Sequence, residues 1–410
     1  MRAKARVGLI AVVIAAGAVA APACEAQSGM TDEELRTMID SLLPGIAEVS
    51  GMEVRRPVRF AMQSRAEART FIEEQLDREL GPEEAGGMER AYKAFGLLPD
   101  TLDLRAMLLD LYLEQVVGYY DPATDRLYVL DEAEAATAGP VVAHELVHAL
   151  QDQHTDLDSL VARERGNDRQ MAAQAAAEGQ ATLVMVALQA AQMSGQGIDI
   201  AALPDLAQLL EPALEAENAQ FPVFQRAPRL VRETLLFPYM GGAGFVQALF
   251  RARGDGAPPV PFGELLPQST EQVLAPEARF LSERDHPTEI ALDPAGDGWQ
   301  TVYSNTLGQL EVSILLVEHL GEEAAGGGWG WDGDRYALLV GPDRREALVW
   351  YSVWDDADSA DAFAERFRLT GVARTVERFR FDGREMVRAV IAEDGVGEAG
   401  MPGVAMLSDS

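Results

Sequence analysis

GPVVAHELVHALQDQH, residues 139–154, frames His144-Glu145-x-x-His148 and ends on a third histidine, His154. Set on a helix over 141–152 at about 100° per residue, His144 and His148 lie one turn apart and only about 40° apart around the axis. Two imidazoles so disposed suit two ligands of one tetrahedral zinc ion. Glu145 falls on the adjacent face, beside the metal and not on it, where a carboxylate can take a proton from a metal-activated water. Val141, Val142, Leu146, Val147 and Leu150 are the apolar neighbours that seat such a helix in a core.

The third protein ligand has two candidates. His154 follows His148 by six residues, the spacing of His-Glu-x-x-His-x-x-Gly-x-x-His. In that pattern a glycine turns the chain sharply, and here Gln151 stands in its place. On a continuing helix His154 points about 240° away from His148, which suits a helix end better than a shared metal. Glu178, in AAQAAAEGQATLVMV, is the stronger candidate. Its one-turn neighbours are Gln174 and Thr182, so no basic residue of its own helix neutralises it. A buried bare carboxylate costs several kcal/mol and calls for a cation. The small residues around it let another helix approach closely. An arginine from elsewhere in the fold is the alternative partner for this carboxylate.

With these residues in view, HELVHALQDQH resembles the zinc helix of the thermolysin-like gluzincin metallopeptidases. The wider run GYYDPATDRLYVLDE…VVAHELVHALQDQH…AAAEGQATL is similar to exported bacterial metallopeptidases of that clan. The resemblance spans roughly 55–280 and is strong over 116–185. It implies His144, His148 and Glu178 as zinc ligands and Glu145 as general base. It also implies that Asp152 supports a ligand histidine from behind. The pattern departs at Thr182, where an aspartate is usual, and no motif marks an oxyanion-stabilising residue. Tyr239, in FPYMGGAGF, is the candidate oxyanion donor, set against a plain core tyrosine. His286 and His319 read as surface residues.

Composition narrows the partners. With 66 acidic and 34 basic residues the formal net charge is −32, which repels phosphate backbones and argues against nucleic acid. MRAKARVGLIAVVIAAGAVAAPACEAQ pairs a basic start with an apolar run from Val7 to Ala21 and small residues before Cys24. That layout predicts a signal peptide over 1–23 and an exported protein, periplasmic, extracellular or attached to the envelope. No span is expected in the mature chain, and Cys24 is a possible lipid anchor. As the only cysteine, it leaves no internal disulfide and no thiolate metal site.

The rest of the chain reads as α+β. A linker and helix occupy 24–54, and a mostly helical metallopeptidase-like domain 55–285, with a small sheet before the zinc helix. A C-terminal α+β module with antiparallel strands covers 286–400, and 401–410 is expected as a flexible tail. RPVRFAMQ (56–63) alternates like a strand, and SRAEARTFIEEQLDREL (64–80) is a helix capped by Ser64 with Glu67. Two β-rich runs flank Asp121-Pro122-Ala123-Thr124-Asp125. Gly139-Pro140 is placed just ahead of the zinc helix. The strand RLYVL is expected to offer a free edge for an extended peptide. The expected function is zinc-dependent hydrolysis of peptide or protein substrates. The rival is a non-catalytic zinc-binding envelope protein whose C-terminal module binds a partner.

Overall fold

The protein is described from a computed structural model covering residues 29–160, 166–206, 208, 219–254, 256–296 and 298–407. The expected signal peptide and Cys24 lie outside the described residues.

The order of elements begins with α1 (Asp32–Ser50), β1 (Arg59–Gln63), α2 (Arg65–Glu79), α3 (Pro82–Ala94) and α4 (Leu104–Gln115). A hairpin follows, β2 (Gly118–Asp121) and β3 (Arg126–Leu130), and then α5 (Ala135–His154), the short α6 (Leu157–Leu160) and the long α7 (Asn167–Ser194). Thr31 and Ser64 close capping boxes with Glu34 and Glu67, so two of the earliest helices start where side chains satisfy the first amides. Asp125 takes a positive φ of 51° at the hairpin turn.

The three-stranded sheet has the order β1-β3-β2, with β1 parallel and β2 antiparallel to β3. Alternation along the strands separates two contact faces. Tyr120, Leu127 and Val129 pack toward α1 and α5, while Tyr119 and Leu130 pack toward Ala68, Ile72 and Leu76 of α2. RLYVL is therefore the central strand and has no free edge, contrary to the expectation from its sequence. The edge next to the hairpin belongs to β2. Helix α5 also starts earlier than expected, at Ala135, so Pro140 lies inside it and one backbone hydrogen bond is forgone near its start. From Val141 to Gln151 every residue of α5 is buried.

Beyond α7 come α8 (Pro222–Arg226), α9 (Arg229–Ala252), α10 (Thr270–Leu274) and β4 (Ile290–Leu292). The C-terminal part contains β5 (Gln300–Asn305), α11 (Gly308–Leu320), β6 (Trp331–Val340), β7 (Glu346–Trp354), α12 (Ala357–Thr370), β8 (Thr375–Phe381), β9 (Arg384–Ala392) and β10 (Val404–Met406). The large sheet is antiparallel in the order β5-β6-β7-β9-β8. The architecture is α+β. Residues 404–406 pair with β4 instead of forming part of a loose tail. One hydrophobic cluster runs from the helices into this sheet. Phe95, after α3, meets the rings of Tyr336 and Trp350 edge-on at 5.3 and 5.4 Å.

The position of α7 rests on a backbone contact. A Cβ at Gly179 would lie 2.1 Å from the Gly242 carbonyl carbon, and one at Gly242 would lie 2.1 Å from the Ala175 oxygen. Helices α7 and α9 cross with backbone against backbone at this point, one residue after Glu178. Only residues without a side chain fit at these two positions, which explains Gly179 and Gly242. Gly179→Ala should cost about 1–3 kcal/mol through forced separation of the two helices, measured by urea unfolding. A midpoint equal to wild type would refute this crossing as a tight constraint.

Candidate functional site

Helices α5 and α7 are both surrounded by core, yet each carries polar side chains where they face each other. On α5 these are His144, Glu145, His148 and Gln151, a single stripe at helical spacing. On α7 they are Glu178 and Gln180. All six are buried, Glu178 at 3% exposure being the least so.

The stripe converges on one point. His144 Nε2 is 2.9 Å from Glu178 Oε2, His148 Nε2 is 3.3 Å from the same oxygen, and the two ring nitrogens are 3.1 Å apart. A tetrahedral ion with ligands at about 2.0–2.1 Å has ligand-to-ligand edges of about 3.3–3.4 Å. The three atoms are thus close to the spacing such an ion requires. Among the described residues no lysine or arginine pairs with Glu178, whose ion-pair partners are the two imidazoles. The expected ligand trio is brought together. His154 is not part of it. It closes α5 and turns its Nε2 to the Glu53 carbonyl at 2.8 Å. His286 is exposed, as expected, whereas His319 is half-buried and its Nε2 donates to the Phe95 carbonyl oxygen at 2.9 Å.

The tautomer of His148 is set from behind, by a residue the sequence marked only as a missing glycine. Gln151 Nε2 donates to the Ala177 carbonyl at 2.9 Å and to Gln180 Oε1 at 3.0 Å, and Gln180 Nε2 donates to the Ser50 carbonyl at 3.3 Å. Two backbone carbonyls that can only accept therefore orient both amides. Gln151 Oε1 is left facing His148 Nδ1 at 2.8 Å, so Nδ1 carries a proton and Nε2 is the atom offered to the shared point. These residues fit a zinc ion: two imidazole nitrogens and one carboxylate, with one ring held in the ligating tautomer.

The role expected for Asp152 is corrected. Its Oδ2 accepts from Arg56 Nη2 at 3.0 Å and from Tyr120 OH at 2.9 Å, and among the described residues it makes no hydrogen bond to a ligand histidine. At 100° per residue it sits beyond Gln151, facing the β2–β3 hairpin, where Arg56 also binds Asp125. Asp152 therefore ties α5 to the hairpin. Thr182, where the resembled pattern has an aspartate, is buried, and neither its Oγ1 nor His144 Nδ1 has a hydrogen-bond partner among the described residues.

Glu145 is held by the hairpin. Its Oε2 accepts the Tyr120 amide at 2.7 Å, while Oε1 has no hydrogen-bond partner among the described residues. The outward amide of β2 is thus used to aim this carboxylate. Tyr239, on α9, stands beside the trio with its ring 6.0 Å from that of His144. Burial, then the Glu178 and Glu145 charges, push its phenol far above the usual range, so it remains protonated.

In the absence of a metal, protons distribute unequally over the site. Burial pushes Glu145 up to about 8, with the Glu178 charge adding to it and His148 opposing it. Burial disfavours the His148 cation, but Glu178, Glu145 and Gln151 together outweigh it and raise the ring to about 9. Burial likewise opposes the Glu178 charge, and the two histidines overcome it to bring Glu178 down to about 2. Burial holds His144 below its ordinary value. A proton on His148 Nε2 therefore occupies the place a metal would take.

A domain of unknown function, DUF8575, matches residues 293–402, which contain the large sheet and α11 and α12 but none of the buried trio. No curated protein matches. A crystal structure from Chloroflexus aurantiacus, "a putative hydrolase with a novel fold", aligns with 63% of this chain and 94% of its own at 18% identity and a TM-score of 0.35. That likeness is too slight to show a common fold.

Two outcomes follow from the geometry. Gln151→Leu should lower zinc affinity by about 10–100-fold in a chelator competition, while Asp152→Asn leaves it near wild type. Equal losses from both variants would contradict the assignment. Zinc binding must displace the His148 proton, so affinity should fall about tenfold per pH unit below about 9. Calorimetry at pH 7 in buffers of different ionisation enthalpy should show between about one and two protons released, from His148 and Glu145. No proton release would contradict it.

Proposed function

We propose that the chain is a zinc-dependent hydrolase that cleaves peptide bonds, with His144, His148 and Glu178 holding the ion and Glu145 as the general base. The observation that carries this reading is the placing of Glu145. It is buried beside the trio, fixed through one oxygen by the Tyr120 amide, with its other oxygen unpartnered among the described residues. A purely structural metal site has no use for such a group and tends to close its fourth position with a side chain. The described residues place no fourth His, Cys, Asp or Glu with the trio.

Zinc bound here would supply Lewis acidity, polarising a scissile carbonyl and acidifying water. The work of the chain's own residues follows from their positions. The Tyr120 amide locks Glu145 Oε2, leaving Oε1 to accept a proton from the attacking water and return it to the leaving amine. Gln151 and Gln180 keep His148 from rotating. Glu178 would neutralise part of the charge of a bound ion. The Tyr239 phenol, kept protonated by its surroundings, is the candidate donor to the developing oxyanion. Exclusion of bulk water from the site strengthens each of these interactions.

Export, by way of residues 1–23, belongs to the same proposal, as does a peptide or protein substrate met outside the cytoplasm. Glu145→Gln should keep stoichiometric zinc and lose about 10²–10⁴-fold in kcat on quenched fluorescent peptides, with Glu178→Ala losing zinc and His154→Ala retaining it. Wild-type zinc content with no Glu145-dependent hydrolysis of any peptide would favour the non-catalytic envelope protein instead.

A further inference from the structure

The four groups of the site are 0–3% exposed, so a substrate must reach them through a neighbouring space. A cleft of about 370 Å³ lies between α2, α3, α4, α7, α9 and the β5–β6 side of the large sheet. Its α7 wall is formed by Asn167, Gln170, Met171 and Gln174. With Glu178 these residues fall within about 100° of arc on one face of α7, and Gln174 is one turn, about 6 Å, from Glu178. On the opposite wall Tyr112 lines the cleft and lies near enough to Tyr239 to add to the upward push on that phenol. The cleft therefore runs along the same helix face that ends at the proposed metal ligand.

Its far end is polar and carries a buried carboxyl that can ionise against a cation. Glu311 of α11 is 3% exposed and lines the cleft. It accepts from Tyr92 OH at 2.9 and 3.0 Å and from Asn167 Nδ2 at 2.6 Å, and among the described residues no lysine or arginine pairs with it. Arg335, the one guanidinium lining the cleft among the described residues, gives its Nε to Ser304. Burial pushes Glu311 up to about 8, and the nearby Asp334 and Asp168 push the same way. A carboxyl in this setting gains most from a cation brought by a ligand. The walls between Glu311 and Glu178 include Leu104, Leu108, Met171 and Leu230, which suit an apolar stretch of chain.

We propose that this cleft is a substrate subsite for an amine or guanidinium group, with Glu311 as its anionic anchor and the apolar walls holding the intervening chain. The proposal rests on the peptidase reading above and adds the class of peptide it takes. Asn167, which bonds Glu311, is eleven residues from Glu178, about 16 Å along α7. An extended peptide advances about 3.3 Å per residue. The basic residue therefore sits about three to five residues from the scissile bond, once the reach of its own side chain is allowed.

The test uses the zinc-loaded Glu145→Gln chain, so that peptide is bound and not consumed. The probes are two fluorescein-labelled peptides of Gly, Ala and Leu, identical except for one lysine or norleucine. The lysine peptide should bind at least tenfold more tightly by anisotropy, and the preference should vanish when Glu311→Gln is added. Hexylammonium should displace the lysine peptide where 1-hexanol does not, a measurement that needs no change at Glu311. Equal binding of the two peptides, a preference that survives Glu311→Gln in a chain with unaltered melting, or equal competition by amine and alcohol would overturn the subsite. Cleavage of both peptides by the wild type with equal kcat/KM would retain the hydrolase and remove the subsite. Lysine-dependent binding without cleavage would retain the subsite and remove the hydrolase.

Discussion

A single buried carboxylate sets the terms for the helical half of this protein. Glu178 sits on a core helix among alanines, 3% exposed, with two imidazoles as its ion-pair partners. Burying such a charge is unfavourable by several kcal/mol without compensation. The arrangement stands because α5 brings His144 and His148 to within 3.3 Å of the same oxygen. That approach requires α7 to sit deep in the core, which the Gly179–Gly242 crossing with α9 permits. The Ala-rich sequence of α7, weakly patterned by hydrophobicity, reflects contact on every side.

The polar groups around this centre form two separate supports. Gln151 and Gln180 run from His148 to the Ala177 and Ser50 carbonyls and determine which nitrogen of the ring carries its proton. Arg56, Asp125, Tyr120 and Asp152 bind the hairpin to α5, and the Tyr120 amide reaches Glu145 from that platform. One support orients a ligand, the other the base. Each depends on segments far apart in the chain, since Ser50 and Arg56 precede Gln151 and Asp152 by about a hundred residues.

The large sheet contributes through its junction with the helices. Asp334 accepts the amides of Leu307 and Gly308 at the start of α11 and the indole N–H groups of Trp331 and Trp350. Asp168 at the start of α7 accepts the amide and hydroxyl of Thr270. These bonds fix α11, and with it Glu311, against the N-terminal end of α7. Asp334 stands in the stretch WDGDR, where an aspartate pair offers the look of a cation site; its oxygens are instead engaged by four protein donors.

Much of the site was legible because helix geometry is local. The four-residue spacing of His144 and His148 dictates a shared face, the flanking aliphatic residues dictate burial, and a carboxylate among alanines without a basic neighbour signals a cation from elsewhere. Without a glycine at Gln151 the helix continues to His154, whose ring meets the Glu53 carbonyl and not the trio. What the sequence alone could not decide was which groups meet across elements. Asp152 and Gln151 differ by one position, and only the packing of α7 against one face and the hairpin against the next makes Gln151 the support of His148 and Asp152 a tie to Arg56. Likewise RLYVL reads as a strand from its alternation, but its central place comes from the parallel pairing of β1, some sixty residues earlier. Spacing along a helix determines relative direction at every step; the identity of the neighbour on each face is decided only when the long-range packing is complete.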